Sequence, residues 1–329
     1  MTVLVTGGAG YIGSHMVLAL RDAGERVVVL DDLSTGVRFA VPADVPLIVG
    51  DFGDQALVDR VLRDEKIEAI AHFAAKIVVP DSVTDPLGYY ENNTAKARNL
   101  LACAVGAKVP HFIFSSTAAV YGEPKSASVR EDDPKDPINP YGRSKLMVEW
   151  MLGDTAHAFP LRYVALRYFN VAGADPAGRS GQSTPAATHL IKVAVQAALG
   201  LRKGMDVFGT DYPTPDGSCL RDYIQVSDLA AAHLDALRHL RNGGGSLTCN
   251  VGYGRGYSVL DVINMVKRVS GVDFDVRIAG RRAGDPAVIV ASSDRARETL
   301  GWVPKHDNLE QIVHQALDWE RKLMARAKG

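Results

Sequence analysis

Through the first half of the chain, apolar residues alternate between two patterns. Short unbroken runs of aliphatic and β-branched residues at 3–5, 26–30, 47–49, 69–73, 111–115 and 163–166 read as strands. Between them, segments 11–23, 55–63, 90–105 and 141–156 repeat apolar residues three and four apart, the spacing of one helical face. The first of these helices buries Ile12, Val17, Leu18 and Leu20 and closes at Gly24. Wholly apolar strands separated by helices belong in a parallel sheet covered on both faces. After Asn170 the pattern changes. Segment 172–185 is rich in Gly, Ala, Pro and Ser and predicts a loop or hinge. Shorter elements follow: helices at 188–199, 227–241, 258–269 and 309–325, a strand near Val207 and another at 247–251. The expected architecture is α/β. A doubly wound parallel sheet spans residues 1–172, with elements around 221–252 returning to it. A smaller C-terminal α/β lobe, 173–220 and 253–329, would hold substrate.

The 329 residues, 47% of them hydrophobic, suffice for two domains or for one large unit with a lobe. Thirty-seven basic and 38 acidic residues leave a net charge of −1. No overall field would steer such a chain to nucleic acid or to an anionic membrane, so neither partner is expected. Cys103, Cys219 and Cys249 lie far apart, which argues against a disulfide framework or a structural zinc site and fits a reducing cytoplasm. The histidines show no metal-ligand spacing, and no metal is expected. No basic stretch precedes the first apolar run, so it does not read as a signal peptide. The longest mostly apolar stretch, 189–201, is broken by Lys192 and Gln196 and falls short of the ~20 residues a bilayer demands.

Gly7, Gly10 and Gly13 stand between the first strand and the first helix. A tight turn there needs a residue without Cβ, and so does close approach of backbone to a pyrophosphate. The free N–H groups at the helix start then face the phosphates. The next strand ends in Asp31, whose carboxylate can accept from an adenosine ribose 2′-OH and would repel a 2′-phosphate. Strand, glycines, helix, strand and acid in this order predict a Rossmann-type site for NAD rather than NADP. Asp51, followed by Phe52, closes the third strand, where it would either contact adenine or cap the next helix.

Tyr141 and Lys145 are four apart on a predicted helix and therefore share a face. An ammonium beside a phenol favours the phenolate. Lowering a tyrosine pKa from about 10 to near 7 takes ~4 kcal/mol, which one unit charge at ~4 Å and an effective dielectric of ~20 can supply. Thr117 follows the strand at 111–115. Its hydroxyl would either meet a substrate oxygen and Tyr141 or cap the following turn.

Together, Gly7/Gly10/Gly13, Asp31, Thr117 and Tyr141/Lys145 resemble the extended short-chain dehydrogenase/reductase family. Within it, the chain resembles the branch that epimerises C4 of UDP-hexoses, along nearly its whole length. The segments carrying this include Tyr89-Tyr-Glu-Asn-Asn93, Tyr141-Gly-Arg-Ser-Lys145, Leu166-Arg-Tyr-Phe-Asn170, Gly209-Thr-Asp-Tyr-Pro-Thr-Pro-Asp-Gly217 and Arg221-Asp-Tyr-Ile224. The resemblance implies a tightly held NAD and a UDP-sugar substrate. Tyr141 takes the proton of the sugar 4-OH while C4 gives hydride to the nicotinamide. The 4-keto sugar turns over, and hydride returns to its other face. Lys145 holds the nicotinamide ribose and lowers the Tyr141 pKa, and Thr117 steadies the 4-oxygen. By the same resemblance Tyr11, Ile12, Asp32, Thr35, Gly36, Phe73, Ala74, Ala75, Lys76, Asn92 and Phe169 join the cofactor site. Asn170, His189, Leu190, Phe208, Arg221, Tyr223, Arg282, Asp285 and Ile289 surround UDP and the sugar. Two arginines suit a diphosphate, and Phe208 could stack on uracil. Ile289 stands where relatives carry either tyrosine or a small residue, which brings UDP-N-acetylhexosamines into range. UDP-uronates are a further alternative.

The neighbouring reactions on this fold are nucleotide-sugar dehydration and decarboxylation. Family dehydratases carry Asp-Glu directly after the threonine. Ala118 and Ala119 stand there instead and cannot transfer protons. A non-catalytic NAD-binding module would not need Tyr141 and Lys145, and a dehydrogenase would release NADH. The family also implies a homodimer through helices beginning near Tyr89 and Tyr141.

Overall fold

In the computed structural model, residues 1–126, 128–184, 187–282 and 285–327 are described. Pro185, the end of the predicted hinge, lies outside them. The chain runs β1 (Thr2–Thr6), α1 (Tyr11–Asp22), β2 (Arg26–Asp31), β3 (Leu47–Val49), α2 (Gln55–Asp64), β4 (Ile67–His72), α3 (Val79–Thr84), α4 (Pro86–Tyr90), α5 (Lys96–Gly106), β5 (His111–Thr117), β6 (Ser128–Val129), α6 (Pro140–Ala158), β7 (Arg162–Tyr168) and β8 (Asn170–Ala172). It continues α7 (Leu190–Ala198), β9 (Met205–Phe208), β10 (Leu220–Gln225), α8 (Val226–Arg241), β11 (Leu247–Val251), β12 (Gly256–Ser258), α9 (Val259–Ser270), β13 (Val276–Ala279), β14 (Val288–Ala291), α10 (Asp294–Leu300) and α11 (Leu309–Arg326).

Seven strands form one sheet in the order β3-β2-β1-β4-β5-β7-β11, and every pairing in it is parallel. Alternate residues of each strand feed two apolar layers. Val3 and Val5 join Met16, Val17 and Leu20 of α1 and Leu229 and Leu237 of α8 on one side. Leu4, Phe112 and Phe114 join Val58 of α2, Leu100 of α5 and Val148 and Leu152 of α6 on the other. The sheet is the Rossmann arrangement, and its switch point lies between β1 and β4, where the chain order reverses.

A second sheet runs β12-β10-β14-β6, with β8 alongside β10, and β9 pairs with β13. The segment 221–252 therefore divides. α8 and β11 lie on the large sheet, whereas β10 belongs to the second one. One element differs from its periodicity. The helix expected at 90–105 is built as α4, a single π-helical turn at Glu91–Ala95, and α5. Asn93 is buried in that turn and clamps the backbone of residue 76.

Candidate active site

The loop from β1 to α1 is closed too tightly for side chains. Gly7 has φ of +72°, and a Cβ there would lie 2.6 Å from the Ala74 amide nitrogen. A Cβ on Gly13 would lie 2.1 Å from the Gly7 carbonyl oxygen. Gly10 caps α1 without any side-chain hydrogen bond, which leaves the first N–H groups of α1, those of Tyr11 and Ile12 among them, for an anion. The buried Asp31 carboxylate accepts from the Ala9 N–H at 2.9 Å and the Leu33 N–H at 2.8 Å, so it is fixed beside that loop. Burial raises its pKa, against the pull of those two bonds. Its remaining lone pairs suit a ribose diol. Gly36 packs against Ala9 and Asp31, and Thr35 is exposed beside it. A bare helix start, a loop without Cβ atoms and a fixed acid form a cradle that fits NAD.

Other expected cofactor residues are placed around this cradle with varied side-chain directions. Asp51 is not the cap of α2, a role held by Asp54. Asp51 pairs with Lys96 at 2.5 Å and accepts from the Gly53 N–H. Phe52 is buried against His72. Phe73 lies 4.8 Å from the His233 ring and, with Ala74, follows β4 beside Gly7; Ala75 comes next. Lys76 points outward to Asp85, at 3.3 Å. Asn92 donates to Asn93, and Asp32 holds the exposed Ser34 turn. The Tyr11 hydroxyl donates to Gly173 O at 2.7 Å, so its ring leaves the phosphate side and supports β8.

Tyr141, Lys145 and Thr117 converge at the carboxyl end of β5. Asn139 caps α6 by accepting from the Gly142 N–H at 2.8 Å, and this sets Tyr141 in the first turn. The Tyr141 ring is buried, near the Thr117 hydroxyl. Burial raises the phenol pKa and the Thr117 contact lowers it. The Lys145 ammonium donates to Ser115 O at 3.0 Å and lies 5.0 Å from the Phe114 ring centre. Its burial lowers its pKa to about 7. The Thr117 hydroxyl accepts from the Ala119 N–H at 3.1 Å and so caps the following turn.

On the substrate side, Asn170 of β8 reaches the Asp222 carbonyl at 3.4 Å, and Tyr223 pairs with it across β8 and β10. Arg221 approaches Asp285 at 3.6 Å. Arg282 lies over the Phe208 ring at 3.8 Å, so one face of that ring already carries a guanidinium. Ile289 is buried with Ala118, Leu146 and Phe169. His189 precedes Leu190 at the start of α7, within 3.2 Å of Gln182 and edge-on to Tyr11. Burial lowers its pKa. Among the described residues no cluster of metal-ligating side chains occurs.

Sequence reasoning passed over Ser115, Ser116, Asn93 and His233. The signal was three hydroxyl residues in a row ending an otherwise apolar strand. Tyr168, whose hydroxyl bonds that of Ser115, was equally legible as a polar group in β7.

The family model for the NAD dependent epimerase/dehydratase family matches residues 3–252. A UDP-glucose 4-epimerase of Azospirillum brasilense is 61% identical over 98% of this chain and 92% of its own. The crystal structure of a UDP-glucose 4-epimerase from Brucella ovis in complex with NAD has TM-score 0.94 and 44% identity, covering 96% of this chain and 97% of that one. The UDP-Glc/GlcNAc 4-epimerase of Campylobacter jejuni has TM-score 0.85 and 46% identity, covering 98% of this chain and 99% of that one. With the Rossmann sheet, the bare α1 start and Asp31 in place, the chain belongs to the NAD-dependent epimerase/dehydratase family.

Proposed function

We propose that this protein interconverts UDP-galactose and UDP-glucose by inverting C4. The observation that supports the reading is the gathering of buried Tyr141, Lys145 and Thr117 at the carboxyl end of β5, with Ala118 and Ala119 as the next residues. Bound NAD supplies a reversible acceptor for the C4 hydrogen. Tyr141 holds the proton of the 4-hydroxyl and gives it back, and Thr117 orients the phenol and the sugar oxygen. Lys145, fixed to Ser115 O, would hold the cofactor ribose. Arg221 and Arg282 would bridge diphosphate oxygens. No acid or base follows Thr117, so elimination across C5–C6 has no proton donor there. Incubation of the purified protein with UDP-galactose, no NAD added, is expected to give UDP-glucose. No product, even with NAD supplied, contradicts the reading.

Ile289 supports a second substrate class. Its side chain fills the cluster beneath Phe169 without adding a hydroxyl or an aromatic ring. UDP-N-acetylglucosamine is expected to turn over as well, and its survival over long incubation removes this part of the proposal.

The assembly we propose is a cytoplasmic homodimer through α4, α5 and α6. Leu87 is 78% and Trp150 61% exposed beside an open depression lined by Tyr90, Ala95 and Met151. No described helix is long and apolar enough to cross a membrane. Sedimentation at the mass of one chain would contradict the dimer.

A further inference from the structure

Glu149 stands four residues beyond Lys145 and continues the stripe of α6 that carries Tyr141. It is buried and makes a two-pronged pair with Arg167 of β7, at 2.9 Å from Nε and 2.6 Å from Nη2. The Ser116 hydroxyl of β5 donates to the same carboxylate at 2.5 Å. Ser116 and Arg167 are register partners across β5 and β7, so one carboxylate ties the helix to two strands at once. Arg167 Nη1 extends the tie to the Tyr121 hydroxyl at 2.9 Å and Glu131 O at 3.2 Å. Tyr121 donates to Asn250 at 2.6 Å, and Asn250 donates to Val129 O of β6, the strand beside β14 and Ile289.

The end of β5 therefore engages α6 three times: Ser115 holds Lys145, Ser116 holds Glu149, and the turn that Thr117 begins packs its Ala119 carbonyl against Gly142, next to Tyr141. The first and third contacts belong to the active site. The second lies between two interior strands, on the α6 face of the sheet, and is made by a two-pronged, charge-assisted pairing. A buried ion pair gives little net stability over apolar packing, so its value here is in fixing geometry.

We propose, building on the functional reading above, that Glu149 is a positioning residue: its clamp on Ser116 and Arg167 sets the height of α6 against β5 at which the Tyr141 phenol meets Thr117. With the clamp gone the phenol stays buried but its contact with Thr117 loosens. Among the described residues, Thr117, Tyr89 of α4 and Tyr168 of β7 act on the phenol, and Lys145 lies one turn on along its own helix. None of them replaces the lost contact.

Glu149→Ala would strand the Arg167 cation and can fail to fold. The test therefore uses Glu149→Leu combined with Arg167→Met, and separately Glu149→Gln, both as NAD-loaded full-length protein. Tyrosine labelled with ¹³C at Cζ, assigned through Tyr141→Phe, reports the Tyr141 titration by NMR. The double variant is expected to move the Tyr141 midpoint up by at least ~0.5 pH unit. It should lower kcat ~10- to 100-fold with KM little changed. Glu149→Gln should move both in the same direction by less. A Tyr141 midpoint equal to wild type in both variants overturns the proposal. Wild-type protein inert toward UDP-galactose would defeat the functional reading alone, because the Tyr141 titration still decides the role of Glu149.

Discussion

Tyr141 sits where burial opposes the charge that a general base must carry. The Thr117 hydroxyl lowers the phenol pKa against that burial, and the Lys145 ammonium, which donates to Ser115 O, lies one turn further along the same helix. A base so placed is weak by itself. A cationic nicotinamide ring nearby would be a further attraction for the phenolate. Tyr141→Phe is expected to cut kcat by ~10²- to 10⁴-fold while the protein still purifies with its nucleotide; turnover assays and the adenine absorbance released on denaturation check both halves. Thr117→Ser should keep the acid limb of the pH–rate profile near its wild-type position. Thr117→Ala should push that limb to higher pH, because the hydrogen bond that favours phenolate is gone. An unshifted limb in Thr117→Ala would assign the phenol's tuning elsewhere. At this scale the sequence exposes residue types well. Tyr141 and Lys145 four apart are plain to see, but the direction of the Lys145 ammonium depends on the β5 carbonyl beneath it. So does the outward turn of Lys76, which follows from Asn93 holding its backbone.

The elements that place these groups are legible to unequal degrees. β1, β2, β4, β5 and β7 are central, apolar on both faces and separated by amphipathic helices, so their pattern announces them. Short strands such as β6, β8, β12 and β14 hold two to four residues each and draw their stability from partners distant in sequence. Nothing local marks them. The π-helical turn is invisible for the same reason: besides its neighbour Asn92, Asn93 is fixed by residue 76 and Ser144, far away in sequence. The β1–α1 loop is the opposite case, written almost entirely in glycines. Gly13→Ala puts a methyl 2.1 Å from a backbone oxygen, which no side-chain rotation relieves. The loop must open, and the variant is expected to purify without nucleotide and without activity while its far-UV dichroism stays native. Full NAD content in Gly13→Ala would mean that the pyrophosphate lies elsewhere.

At the scale of the whole molecule, the large sheet buries imidazoles that cannot easily be charged. His15, His72 and His233 are buried, and burial lowers their pKa values to about 4, 3 and 4 from 6.5. The unfolded chain protonates these groups below pH 6.5 while the folded chain does not until near pH 4. Protons thus favour the unfolded state across that window, and stability falls as pH drops through it. Thermal melts between pH 6.5 and 4 should show a progressive loss of Tm, reduced in His15→Gln. A flat Tm over that range would mean that the imidazoles protonate in the folded state.

The central claim is that a hydrogen leaves C4 of the sugar and returns to C4 without entering solvent. It is tested most directly with UDP-galactose deuterated at C4, in ordinary water, followed by mass and NMR analysis of the sugar produced. UDP-glucose carrying the full deuterium label at C4, with no NADH accumulating, is the expected outcome. Product that has lost its label to water, or label that stays behind as reduced nucleotide, would contradict the account.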